Sequence, residues 1–378
     1  MLTCAACGLR HAASEPRWRC GCGGYLRLEG TGLFRPEALA ARPPTIWRYH
    51  EALGIDDPEK RVSLGEGSTP LAAIEYAGRE VLLKLDFLLP TGSFKDRGSA
   101  VMLSKLREWG VRRIVEDSSG NAGASVSAYA ARAGIEAEVF VPASASAGKL
   151  AQIALYGARL ERVAGTREET TAAALRRAEG AFYASHNWSP YFVAGCKTAA
   201  YEIAEQLAWR APDWVVLPVG GGGLLLGLAE GFRELHEARM IDRMPRLAAV
   251  QAEACAPIYR AWAADRDTVA PVEKRPTSAE GISIASPVKG RDVLQAIRAC
   301  GGVVRAVGED QIWDAFRRLA SCGIYAEPTS AAAAAALPEL WASGRIAPGE
   351  RVVVEITGSG LKATDKVLEH FPQGEQGA

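Results

Sequence analysis

The sequence predicts an α/β protein of open sheets in more than one domain, on three observations. Its 378 residues exceed the length at which a single hydrophobic core keeps growing. Short β-branched runs alternate with alanine-rich segments that read as amphipathic helices, the rhythm of α/β folding. Three of these alternations share one design, a strand that runs into a small-residue loop and then into a helix. In open α/β sheets such loops, at the carboxyl ends of strands, line the ligand crevice, so the three can converge on one ligand. Charge is balanced at 44 Lys and Arg against 44 Asp and Glu, which leaves no electrostatic footprint for nucleic acid or an anionic membrane. The N-terminal MLTCAACGLRH carries no apolar signal core, and no run reaches the length of a membrane span. A cytoplasmic protein acting on a small molecule is expected.

The first element is a cysteine head over residues 1–30. Its spacing is Cys4-x2-Cys7, twelve residues, then Cys20-x-Cys22, followed by Gly23 and Gly24. In a reducing compartment such crowding points to metal rather than disulfide. Four thiolates in two close pairs can close a tetrahedral site, so a structural zinc ribbon is expected, with four unliganded thiols on a frayed end as the alternative. The second pair is C-x-C where a standard ribbon has C-x-x-C. Cys196, Cys255, Cys300 and Cys322 are scattered singly and read as core residues.

Beyond a Pro- and Arg-containing linker at residues 41–44 comes LLPTGSFKDRGSA, residues 88–100, with Lys95 behind Phe94 and small residues around it. Lysine alone among side chains can form an imine with an aldehyde cofactor; the alternative is a solvated lysine opening a surface helix. The first shared unit, RRIVEDSSGNAGASVSAYAARAG, runs a strand near residues 113–116 into Ser118, Ser119, Gly120 and Asn121. The second, DWVVLPVGGGGLLLGLAEGF, ends its strand at Val219 and places Gly220, Gly221, Gly222 and Gly223 before a helix. Successive backbone N–H groups there can curl around a phosphate at a helix N-terminus. The dinucleotide fingerprint, early in the chain with an acid about twenty residues on, is absent. The third, RVVVEITGSGLKATDKVLEHF, sets Thr357 after a strand ending near Ile356. Asn121 and Thr357 each read as helix caps when taken alone. Taken together, an amine for an imine, a glycine cradle for a phosphate, an amide for a phenolate and a hydroxyl for a ring nitrogen describe pyridoxal 5′-phosphate.

In this order, TGSFKDRG, SSGNAG, the glycine run, EPTSAA and TGSGLK resemble the fold type II pyridoxal-phosphate enzymes, in their threonine synthase branch, over most of the chain from about residue 64. The resemblance implies a tryptophan synthase β-like fold: two open α/β domains with the cofactor in the cleft between them. It further implies that Lys95 bonds the cofactor's aldehyde with Phe94 beside it, Asn121 hydrogen-bonds O3′, Gly220 to Gly223 hold the phosphate and Thr357 faces the pyridine nitrogen. Ser118, Ser119 and Gly120 would hold the substrate carboxylate. The expected division is the head at 1–30, a large cofactor domain from 31–97 and 186–378, and a small mobile domain at 98–185. The expected cofactors are pyridoxal phosphate and a structural zinc. The expected partners are a small amino-acid substrate and a second copy in a homodimer, with no nucleic acid and no membrane.

Threonine synthases bind O-phosphohomoserine through a second anion site, part of which lies ahead of a G-Q-K-T motif, with an asparagine and, six residues on, an arginine. This chain reads SHNWSPYFVAGCKT, with His186 and Phe192 at those positions, and has Ala122 where the family has threonine. Phenylalanine cannot replace a bidentate phosphate ligand. His186 has a bland reading too, as a packed histidine at a domain edge. The leading expectation is therefore a lyase using β-elimination or β-replacement on serine, threonine or an O-substituted serine. True threonine synthase activity is the second reading. A non-catalytic zinc-ribbon binding protein is the third, and retention of Lys95 argues against it.

Overall fold

The computed structural model describes residues 1–371 apart from Ser144 and Ser146. These residues group into two compact units, one of Met1–Ser68 with Leu89–Tyr201, the other of Thr69–Leu88 with the chain from Glu202 onward.

In the first unit the head is a small antiparallel sheet of β1 (Leu2–Cys4), β2 (Arg10–His11) and β3 (Leu26–Leu28), in the order β2-β1-β3. In the second unit, β4 (Leu71–Tyr76) and β5 (Arg79–Lys84) form a hairpin whose left-handed turn residues are Ala77 and Gly78. The first unit continues with β6 (Arg113–Glu116), β7 (Glu136–Pro142), β8 (Arg159–Val163) and β9 (Phe182–Tyr183), all parallel, in the order β8-β7-β6-β9. The strands are apolar because helices cover parallel sheets. Val115, Val139 and Val141 are fully buried. Helices Lys95–Glu108 and Asn121–Ala133 belong to the same unit, and the second ends on left-handed Gly134, a glycine cap.

The second unit adds β10 (Trp214–Pro218), β11 (Arg246–Ala252), β12 (Val303–Val307) and β13 (Val352–Glu355) to the hairpin. The order is β12-β11-β10-β13-β5-β4, parallel except for the edge strand β4. The run at residues 331–336 lies wholly inside a core with Val216, Val250 and Val354, where alanine lets helix backbone approach sheet closely. Of the four single cysteines, Cys196 and Cys255 are buried and Cys300 is half-buried. Cys322 departs from the expectation: it is exposed, at the C-cap of helix Glu309–Ser321, with its Sγ 3.5 Å from the Glu75 carbonyl on the edge strand β4.

Candidate active site

Lys95 opens helix Lys95–Glu108, and a buried carboxylate organises the turn before it. Asp96 accepts from the Thr91 backbone N–H at 2.7 Å, from Thr91 Oγ1 at 2.6 Å and from Ser125 Oγ at 2.6 Å. Buried Arg97 donates from Nη1 to Thr198 Oγ1 at 3.0 Å. Asp96 and Arg97 thus anchor the helix start through hydroxyls and a backbone amide. Lys95 Nζ lies 4.0 Å from the Phe94 ring centroid, an approach partly apolar on one side. Two other buried lysines, Lys84 and Lys105, are held by carboxylates. Lys84 Nζ donates to Glu202 at 2.7 Å, to the Thr69 carbonyl at 2.8 Å and to Gln206 at 3.0 Å, while Lys105 pairs with Glu108 at 2.7 Å.

After β6 the chain turns through Asp117, Ser118, Ser119 and Gly120. Gly120 is the N-cap of the next helix and Asn121 its first residue, with no side-chain cap bond at that end. The capping reading of Asn121 therefore falls away, since the cap position is Gly120. The first-turn N–H groups of the helix point out of its N-terminus, where an anion is favoured.

His186 follows β9, the parallel neighbour of β6, so the two strands deliver Glu116 and His186 to the same edge of the sheet. His186 Nδ1 lies 2.8 Å from Glu116 Oε1. Glu116 is fully buried, and burial first, then the neighbouring Asp117 charge, push its carboxyl well above the ordinary glutamate range against the pull of Arg167, His186 and Lys95. The Phe192 ring is buried and meets the His186 ring edge-on at 5.7 Å. It also lies flat on the backbone of Gly98, where a Cβ would sit 2.5 Å from the ring. Gly98 stands three residues after Lys95 and so shares its helix face. Ala122 is buried. Glu116 was not singled out in the sequence, because a strand-end acid has no local signature; only the β6–β9 pairing joins it to His186.

The second unit carries the glycine run in the loop after β10. Gly222 is left-handed at φ +88°, and a Cβ on it would fall 2.3 Å from Val293 Cγ2. A Cβ on Gly220 would fall 3.0 Å from Ile282 Cα. Gly222 is the N-cap of helix Gly223–Glu237 and, as glycine, brings no capping side chain of its own, at a helix end where N–H groups favour an anion. Thr357, after β13, is buried with Oγ1 2.9 Å from Ser330 Oγ; Ser330 Oγ also accepts from Gly358 N at 2.9 Å. Ser330, within EPTSAA, is a functional candidate whose role the sequence did not show. Gly281 leans on Thr329, to whose Oγ1 its N–H donates at 3.1 Å.

In the head, the Sγ atoms of Cys4, Cys7, Cys20 and Cys22 all lie within 4.8 Å of one another. Cys4 to Cys22 is 3.5 Å, Cys7 to Cys22 3.5 Å and Cys7 to Cys20 3.8 Å. A tetrahedron with Zn–S of about 2.3 Å has S···S edges of about 3.8 Å. Burial raises the Cys4 thiol, but hydrogen bonds from the Cys7 and Ala6 backbones and from Cys22 bring it down to about 6. His11 Nε2 sits 3.3 Å from Cys20 Sγ, a neighbour that the cysteine spacing does not reveal.

The family described as "Pyridoxal-phosphate dependent enzyme" matches residues 62–358. A threonine synthase of Methanocaldococcus jannaschii is 36% identical, covering 97% of this chain and 93% of its own. One from Mycobacterium tuberculosis is 35% identical over 87% of this chain and 91% of its own. Among solved structures, a threonine deaminase of T.th. superposes with TM-score 0.65 at 27% identity, over 77% of this chain and 92% of its own. The L-serine ammonia-lyase of Rhizomucor miehei has the same fold, with TM-score 0.70 at 24% identity over 81% of this chain and 98% of its own.

Proposed function

The chain belongs to the pyridoxal-phosphate dependent enzymes, in the threonine synthase-like group, and from that premise we propose that it is a lyase for small unphosphorylated amino acids. The reaction is β-elimination or β-replacement on serine, threonine or an O-substituted serine. One observation carries this reading. Phe192, packed on Gly98 one helical turn from Lys95, builds an apolar wall at the position where the resemblance implies a phosphate-binding arginine.

The groups present fit pyridoxal phosphate. Gly220 to Gly223 form a loop packed so tightly that a Cβ at Gly220 or Gly222 would strike Ile282 or Val293, and it opens a helix N-terminus suited to a phosphate. Lys95 supplies the amine for the aldehyde, with Phe94 against it, and Asn121, which does not cap its helix, supplies an amide for O3′. Thr357 and Ser330 offer neutral hydroxyls to the ring nitrogen. A hydroxyl does not force that nitrogen to be protonated, which favours elimination and replacement over transamination. When bound, the cofactor supplies the electron sink. Ser118, Ser119 and Gly120 hold the substrate carboxylate by hydroxyls and N–H groups, and the Lys95 amine takes the substrate α-proton and later returns one.

The four thiols of the head bind one structural zinc, on the strength of their S···S separations. Separate sheets for the head, for residues 113–183 and for the rest are consistent with a head at 1–30, a small mobile domain at 98–185 and a large domain at 31–97 and 186–378, although residues 1–68 and 89–201 group as one compact unit and so place the boundaries differently. We take the enzyme to be a cytoplasmic homodimer; among the described residues no helix is long and apolar enough to cross a membrane. The second reading, threonine synthase acting on O-phosphohomoserine, is favoured by the 36% identity to such an enzyme. Incubating the holoenzyme with serine, threonine, O-acetylserine and O-phosphohomoserine separates the two. Keto acid or a β-replaced product from the first three supports elimination or replacement, and threonine from the last supports the second reading.

A further inference from the structure

The Glu116–His186 pair lies outside the groups assigned to the cofactor, and it leaves one buried carboxyl oxygen without a hydrogen-bond partner among the described residues. Glu116 is wholly buried, yet only Oε1 is engaged, by His186 Nδ1 at 2.8 Å. Among the described residues Glu116 Oε2 has no hydrogen-bond partner. A buried carboxyl oxygen left unpaired is costly, so it persists where a ligand completes it. Asp117, next in sequence, likewise keeps one buried oxygen, Oδ1, without a hydrogen-bond partner among the described residues, while its Oδ2 accepts from Thr171 Oγ1 at 2.6 Å and faces Arg167 at 3.4 Å.

The location points to the substrate. Glu116 ends β6 immediately before the Ser118 to Gly120 loop assigned to the substrate carboxylate, and Lys95 is among the charges that act on it. Phe192 closes the pair from the apolar side, edge-on to His186 and flat on Gly98. A carboxyl oxygen there can take a hydroxyl of the substrate. Toward a phosphate dianion it offers repulsion when ionised and at most one hydrogen when neutral.

We propose that Glu116 and His186 form a specificity element that reads the substrate side chain, with Glu116 Oε2 pairing a hydroxyl on the β- or γ-carbon and excluding the phosphorylated counterpart. His186 fixes the carboxyl rotamer, and Phe192 keeps water from competing for Oε2. The inference rests on the reading of an unphosphorylated substrate given above.

The test uses the holoenzyme with two matched pairs, L-serine against O-phospho-L-serine and L-homoserine against O-phospho-L-homoserine. Dissociation constants come from titration of cofactor absorbance, alongside KM and kcat. The unmodified enzyme is expected to prefer each hydroxyl compound at least tenfold. Glu116→Gln should reduce that preference at least tenfold, through Kd and KM rather than kcat, and His186→Asn should reduce it in the same direction by less. Thermal melts check that the variants fold. If Glu116→Gln does not fold, His186→Asn carries the test alone, at a side chain that is 12% exposed where that of Glu116 is not exposed at all. If the unmodified enzyme prefers the hydroxyl compounds and the folded variants keep that preference unchanged, the pair is structural and this inference fails while the proposed function stands. An unmodified enzyme that prefers the phosphorylated compounds overturns both.

Discussion

The glycine loop after β10 and the Glu116–His186–Phe192 wall beside Lys95 are built by different physics. In the loop the constraint is backbone: Gly222 is left-handed and pressed on Val293, so glycine alone fits, whatever the substrate. In the wall the constraint is side chains, brought from the end of β6, the segment after β9 and helix Pro190–Gln206. The loop matches the family pattern and the wall departs from it. On the proposed reading, the difference teaches that local backbone geometry would keep the cofactor chemistry while a few packed side chains would reset substrate choice.

The largest expected effect falls on the cofactor side. Lys95→Ala should remove the visible absorbance of the bound cofactor and lower turnover by at least the roughly 10²–10⁴-fold that a positioned proton-transfer group contributes. Lys84 and Lys105, tied to Glu202 and Glu108, are not placed to substitute. A variant that keeps both colour and turnover would break the assignment. Asn121→Ala should weaken cofactor binding or shift its spectrum and leave the colour in place. An unchanged spectrum and affinity would return Asn121 to a purely helical role.

The head tests stability without chemistry. Metal analysis should find about one zinc per chain, and Cys4→Ser or Cys20→Ser should release it and lower Tm while turnover per folded molecule changes little, because a closed four-cysteine site has no open coordination position. Metal-free protein with an unchanged melt would refute the ribbon.

These two regions were not equally legible in sequence. A strand feeding glycines and then a helix is a local pattern, and the loops appeared at the expected places: β6 spans the expected residues, while β10 ends at Pro218, one residue before Val219. The cysteine spacing likewise foretold the thiol cluster, but not His11 against Cys20. His186 and Phe192 were visible only as departures from a motif. Glu116 and Ser330 were not visible as site residues, since each acquires its role from a partner 70 or 27 positions away. Cys322 was misread because a lone cysteine carries no signal that separates a core position from a helix end.

On the substrate side the effects are smaller. Phe192→Arg should tighten O-phosphohomoserine binding by roughly one to two decades, the worth of charge-assisted hydrogen bonds, as read by titration. It should not restore full synthase activity, because Ala122 still lacks a hydroxyl. No gain in phosphate affinity would show that the wall does not border the substrate. The smallest effect is on pH. Glu116 has a folded pKa above its unfolded one, so its ionised form opposes folding. That penalty is absent below the unfolded glutamate range of about 4.3 and grows as pH rises from there toward the folded value, by up to about 1.4 kcal/mol per pH unit. The stability of the unmodified protein relative to Glu116→Gln should therefore fall as pH rises through that window, and parallel denaturation curves at all pH values would contradict the burial argument.

The central claim is that a pyridoxal-phosphate lyase has exchanged a phosphate clamp for an apolar wall. Its most direct test is product analysis of the unmodified holoenzyme offered L-serine, L-threonine and O-acetyl-L-serine in parallel with O-phospho-L-homoserine. The structure predicts keto acid or a β-replaced amino acid from the first group and little threonine from the last. Efficient conversion of O-phospho-L-homoserine to threonine, with the first group inert, would contradict it.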